Sequence, residues 1–194
     1  MNQVQLAAQS LLNSLYTSRD LKRVSLLLES LSANHQFKQR MYNVVTDDNL
    51  NDAQKSHELV RLIAKVNLPQ VNHFFTSMFE AYQFWLFDSH KFDHFDAFVK
   101  SFQLEADNIE IVYISTSINL EDDELRKIGK LFATLLKKHA VISHVVNPAI
   151  LGGAQVRVGN YVFDYSLKAK LERFQKKWID SLISTNDLLT QETN

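Results

Sequence analysis

Glycine and proline are scarce and unevenly placed in this chain, and their distribution limits what it can fold into. Three of its four glycines and one of its two prolines fall within residues 147–171, NPAILGGAQVRVGNYVFDYSLKAKL. Tight turns draw on residues that tolerate unusual dihedral angles. Their scarcity elsewhere favours long helices over a many-turned β sandwich.

Up to about Leu104 the hydrophobic pattern is helical. Ala7, Ala8, Leu11 and Leu15 mark a first helix, and Leu21, Val24, Leu27, Leu28 and Leu31 a second one after Ser18. His35 to Val45 reads as a third. Asn51-Asp-Ala-Gln54 has the form of a capping box, which predicts the start of a fourth helix carrying Leu59, Leu62, Ile63 and Val66. Pro69 stands where a fifth should begin, at a position where its missing N–H costs nothing. That fifth segment, from Val71 to Phe87, is apolar on nearly every side and predicts either a buried central helix or one wall of a partner site. Phe92 to Phe102 returns to one stripe and gives a sixth helix.

After Asp107 the period changes. Residues 109–114 read as a strand, Asp122 to Lys138 as a helix with acids in its first turn and lysines in its last, and Ala140 to Val146 as a second strand. Val156–Val158 and Tyr161–Phe163 flank Gly159-Asn160 and predict a hairpin. Ser166 opens a final helix with Leu167, Leu171, Phe174 and Trp178 on one stripe. The expected fold class is α+β. A six-helix bundle over residues 1–104 precedes a small mixed α/β module over 105–183, the two joined near 103–108, and residues 184–194 form a polar tail expected to fray.

Charge is balanced in each half. Residues 1–104 hold ten Lys/Arg and ten Asp/Glu, and residues 105–194 hold eleven and twelve. With no basic field to track a phosphate backbone, a nucleic-acid partner is not expected. The chain has no cysteine, which excludes disulfides and thiolate chemistry. No window approaches 18 consecutive apolar residues, so membrane association is expected only through partners.

The stretch from about Val112 to Trp178 resembles a known family. Ser115-Thr116 leading to Leu120, Asn147-Pro148, the Gly152-Gly153 pair, Val156-Arg157-Val158-Gly159 and Asp164-x-Ser166 occur in order. Together they are similar to the C-terminal signature of the delta subunit of F-type ATP synthases, the family of the mitochondrial oligomycin sensitivity conferral protein. The signature positions are Asn147, Pro148, Gly152, Gly153, Arg157, Gly159, Asp164 and Ser166, to which the resemblance assigns structural roles. Asn147 stands where the family usually has Asp, and Tyr165 where it commonly has Gly. In the N-terminal half, Leu6-Ala-Ala-Gln-Ser-Leu11 replaces the usual Arg-Tyr-Ala-x-Ala-Leu, and aromatics replace Glu-Asn-x-Arg after Met78.

The resemblance implies a non-catalytic stator subunit with no cofactor. Its bundle would receive N-terminal helices of the alpha subunits, and its C-terminal module the C-terminal helices of the peripheral-stalk b subunit. It would sit at the cytoplasmic face of a bacterial cell membrane, or on the matrix side of the mitochondrial inner membrane. The rival is a diverged delta-like helical adaptor in another assembly, kept open by the altered N-terminal half.

From the residues themselves, the breadth of the aromatic run predicts a partner groove. Phe75, Phe79 and Tyr82 would line one wall, and Ala7, Ala8, Leu11 and Leu15 the other; the bland alternative is core. The glycine pair precedes no helix and no Lys-Ser/Thr follows it, so a phosphate loop is not expected. His90 and His94 have the spacing of two metal ligands on a helix face, but a solvated junction is the preferred reading. Lys168, Lys170, Arg173, Lys176 and Lys177 make the last helix basic, either a solvated face or a surface for an acidic stalk helix or lipid headgroups. No nucleophile, base and orienting group share a recognisable spacing, so no catalytic residue is expected.

Overall fold

A computed structural model describes residues 2–178 of the protein. Its first half is six helices: α1 (Gln3–Asn13), α2 (Ser18–Ala33), α3 (His35–Val45), α4 (Asp52–Ile63), α5 (Pro69–Glu80) and α6 (Asp93–Asp107). Local chemistry sets their starts. Asn51 Oδ1 accepts from the Gln54 N–H at 2.9 Å while Gln54 Oε1 accepts from the Asn51 N–H at 3.0 Å, completing the expected capping box. Asn2 and Gln5 do the same for α1. Pro69 occupies the first turn of α5.

The fifth segment is not one helix to Phe87. It ends at Glu80 in a reversal that places Tyr82 in the left-handed region at φ 56°. Tyr82 N–H donates to Phe79 O and Gln83 N–H to Met78 O, both at 3.0 Å, the paired bonds of a Schellman motif. A short 3-10 turn, Trp85–Phe87, then brings Leu86 and Phe87 back into the interior. The run is apolar on every side because two elements approach the same core from different directions. That core is aromatic: Phe75, Phe79, Phe87, Phe95, Phe98 and Phe102 are all fully buried, and the Phe87 and Phe95 rings stack with centroids 4.9 Å apart.

The second half is β1 (Glu110–Thr116), α7 (Asp122–Leu136), β2 (Ala140–Val146), β3 (Ala154–Val158) and β4 (Tyr161–Asp164), followed by a helix, α8, described over residues 167–178. The four strands form one sheet in the order β2-β1-β3-β4, with β1 parallel to β2 and the other pairs antiparallel. The parallel pair requires a crossover, which α7 supplies while covering one face. Val112, Ile114, Ala140, Ile142 and Val156 are buried there with Leu125. On the opposite face Tyr113, Val145 and Val162 stay exposed, so that side of the sheet is open. The fold is α+β, a helical bundle followed by a mixed module. Of the expected junction at 103–108, all but Asn108 continues α6. The tail expected at 184–194 and residues 179–183 lie outside the described residues.

Candidate partner-binding surfaces

Burial sorts the residues expected to line a groove. Ala8, Leu11, Leu15, Phe75 and Phe79 are completely buried in the bundle. They belong to the core, where no partner reaches them without opening the bundle. Ala7 is half-buried and packs against that core, and only Tyr82 is exposed. Leu15 also lies beyond the end of α1.

A groove does run between α1 and α5, but other positions line it. It holds about 360 Å³ and is lined by Ser10 and Ser14 from α1 and its end, and by Gln70, His73, Phe74, Ser77, Met78, Ala81 and Gln83. Gln70, Phe74, Ser77 and Ala81 follow one another at spacings of four, three and four, a stripe beside the one that carries Phe75 and Phe79. Small residues at Ser10, Ser14, Ser77 and Ala81 line it together with the apolar Phe74 and Met78. The signal for this face was the regular recurrence of small residues, which reads weakly beside a run of phenylalanines.

In the module the signature residues build the path from β2 to α8. Asn147 N–H donates to Thr116 O at 2.7 Å, its Oδ1 accepts from the Ala149 N–H, and its C=O accepts from the Ile150 N–H, so Pro148 occupies the second position of a turn. Gly153 combines φ 81° with a backbone approach so close that a Cβ would stand 2.4 Å from the Tyr165 carbonyl oxygen. Only glycine fits both conditions. Gly152 O accepts from the Leu167 N–H, and Gly159 supplies the positive φ of the hairpin. Asp164 Oδ1 accepts from the Ser166 N–H at 2.8 Å and Oδ2 from Gln155 at 3.0 Å. The Ser166 hydroxyl first, and then these two bonds, hold its carboxyl below the usual range. Ser166 Oγ in turn accepts from the Ala169 N–H and caps α8. Arg157 lies over the Tyr113 ring, 4.3 Å from its centroid, on the open face of the sheet.

What this path delivers is an exposed helix. Every residue from Lys170 to Trp178 is exposed, including Leu171, Phe174 and Trp178 on the apolar stripe. Leu167, Leu171, Phe174 and Trp178 are separated by four, three and four residues, the spacing of a coiled-coil seam. Five cations, Lys168, Lys170, Arg173, Lys176 and Lys177, flank that seam against one acid, Glu172.

A family model described as "ATP synthase delta (OSCP) subunit" matches residues 8–178. The chain belongs to that family. A delta subunit of Natranaerobius thermophilus is similar at 37% identity over 71 residues, 37% of this chain and 40% of the relative. One from Priestia megaterium is similar at 30% over 95 residues, 47% of this chain and 52% of the relative. The chain thus spans about half or less of the length of these relatives. A chain in the cryo-EM structure of the Toxoplasma gondii mitochondrial ATP synthase hexamer covers 92% of this chain and 98% of its own length at 16% identity. Its TM-score of 0.39 makes that likeness too distant to place partners.

Two further polar clusters in this delta-family chain bond within the fold. His94 Nδ1 faces the Asp88 carboxylate at 2.9 Å and the Trp85 carbonyl at 3.0 Å, which ties the 3-10 turn to the start of α6. Its pKa is raised, first by the Asp88 bond. His90 instead meets the edge of Tyr42, so the two histidines do not converge. Thr116 and His144 are 2.7 Å apart beside a polar cleft, but the Thr116 hydroxyl donates to Ile118 O at 2.6 Å. His144 Nε2 must then donate to Thr116 Oγ1, the reverse of a base activating a nucleophile. No described helix is long and apolar enough to cross a membrane.

Proposed function

We propose that the protein is a stator subunit of a rotary, proton-translocating F-type ATP synthase, with a mechanical rather than a chemical role. The observation that carries this reading, beyond family membership, is α8. Leu167, Leu171 and Phe174 on its apolar stripe are exposed, and an amphipathic helix draws most of its stability from packing that face. The seam fits C-terminal helices of the peripheral-stalk b subunit, packed side by side with acidic residues facing the lysines. At the other end, the α1–α5 groove fits the N-terminal helices of alpha subunits at the top of the catalytic head.

Rotor torque drags the head round unless something holds it. A link with two sites keeps hold even when each is modest, because release at one leaves the other bound and the local concentration high. No cofactor enters this role. Its place is peripheral, on the cytoplasmic face of a bacterial membrane, reached through the complex.

The test is recovery of the tagged chain from native membrane extract, scored for ATPase activity and for head and stalk subunits. Active head and stalk together support the stator role. The chain alone, or with unrelated proteins, while the ATPase in the same extract stays intact, sinks it in favour of an adaptor in another assembly.

A further inference from the structure

The short connection between α1 and α2 does more than join two helices. Leu15 is fully buried in the bundle core, and Thr17 accepts from the Asp20 N–H to cap α2. Tyr16, between them, turns the other way and docks on the sheet module, as alternate residues of a strand do. Its carbonyl accepts from the Ile142 N–H at 2.9 Å, and Thr17 forms a parallel bridge with Ile142. Ile142 belongs to β2, an edge strand whose partner β1 lies on one side only. The outward N–H of Ile142 would otherwise be unpaired beside a residue that is almost wholly buried.

Three neighbours close round the connection. His139 Nε2–H donates to the Leu15 carbonyl at 2.7 Å, and its ring meets the Tyr16 ring edge-on at 5.8 Å. The Lys130 ammonium lies 5.6 Å from the Tyr16 centroid. Gly129 brings α7 so near that a Cβ there would sit 3.1 Å from Tyr16 Cβ and 3.3 Å from Tyr16 O. An ion pair, Arg19 with Asp122 at 2.5 Å, crosses the same seam, but both side chains are mostly exposed and it adds little.

We propose that residues 15–17 are a latch that adds a short parallel strand to the outer edge of β2 and fixes the bundle and the sheet module as one rigid body. The two halves are then joined at two separate places, here and where α6 runs into β1. Two attachments leave one rotation, about the line between them, and Tyr16 pressed against α7 blocks it. The latch does not depend on which partners the two docking surfaces take.

The chain has no cysteine, so Ala53→Cys on α4 and Lys127→Cys on α7, both exposed, give a unique pair of spin-label sites in the full chain. Double electron–electron resonance should give one narrow distance distribution. Adding Gly129→Leu, which drives α7 off Tyr16, should broaden it severalfold. A broad distribution in the labelled parent overturns the latch, and so does a Gly129→Leu variant that stays folded and equally narrow. Should that variant fail to fold, hydrogen exchange at the Ile142 amide of the unsubstituted chain decides. Slowing by about a hundredfold or more relative to an open amide is expected, and exchange at the rate of an exposed loop overturns the proposal.

Discussion

Phe75 and Tyr82 share one apolar run in the sequence and end in opposite environments. Phe75 is completely buried among Phe74, Phe79, Phe87, Phe95 and Phe98, whereas Tyr82 is 54% exposed. Phe75→Ala should therefore cost about 3–5 kcal/mol in urea denaturation, the loss for emptying a packed aromatic site. Tyr82→Ala should stay within about 0.5 kcal/mol. Equal losses would mean the core has been assigned to the wrong face. Two histidines make a second contrast, in pH. The Asp88 bond raises His94 above its ordinary value, so its stabilisation is complete below pH 6.5 and is lost as pH rises through the raised value. Burial lowers His139, so the unfolded chain takes up that proton first and stability falls as pH drops below 6.5. His94→Asn should then destabilise more at pH 5.5 than at pH 8, while His139→Gln should flatten the loss on the acid side. Unfolding midpoints at the two pH values check both signs, and a His94→Asn penalty that grows with pH would refute the first.

At the scale of elements, α8 separates folding from binding. Leu171→Asp with Phe174→Asp changes two exposed residues, so the isolated chain should keep its denaturation midpoint within about 0.5 kcal/mol. The same pair should abolish recovery of stalk subunits and leave recovery of the head intact. A large loss of stability instead would show that the seam is covered by the chain itself. The existence of the helices was legible, because 3.6-residue periodicity, the Asn51–Gln54 box and Pro69 all speak locally. The end of α5 was not. A Schellman reversal is ordinarily marked by glycine, and here a tyrosine takes the left-handed position, held by the two bonds to Phe79 and Met78. The hairpin and the strand-to-helix junction were legible for the opposite reason, since Gly159, Asp164 and Ser166 carry their turn chemistry openly. The groove face and the exposure of α8 depend on what packs where, which periodicity leaves undetermined. Each sheet edge is also met at one point without any edge signal in the strands: β2 at Ile142 by the Tyr16 carbonyl, β4 at Asp164 by Arg173, whose guanidinium donates to Asp164 O at 3.0 Å.

Across the whole molecule the charges cancel to a net of −1, yet the two proposed docking surfaces differ sharply in character. The α1–α5 groove is lined by serines, glutamines, His73 and apolar side chains, with no lysine, arginine or carboxylate among its lining residues. α8 carries five cations and one acid over twelve residues, beside an apolar seam. Attraction between exposed charges fades as salt shortens the screening length from about 8 Å at physiological strength to about 3 Å at 1 M, while apolar burial does not weaken. Salt should therefore loosen the two ends of the link unequally. In co-sedimentation of the reconstituted complex, raising salt toward about 1 M should release the stalk first and leave the chain on the head. With the stalk gone, the effective concentration that holds the second site is lost as well, so dilution in high salt should then strip the chain from the head at a rate set by the groove alone. Release of the head before the stalk would reverse the assignment of surfaces. Simultaneous release at every salt concentration would mean that the charges on α8 face water in the complex and that its apolar seam alone makes the contact.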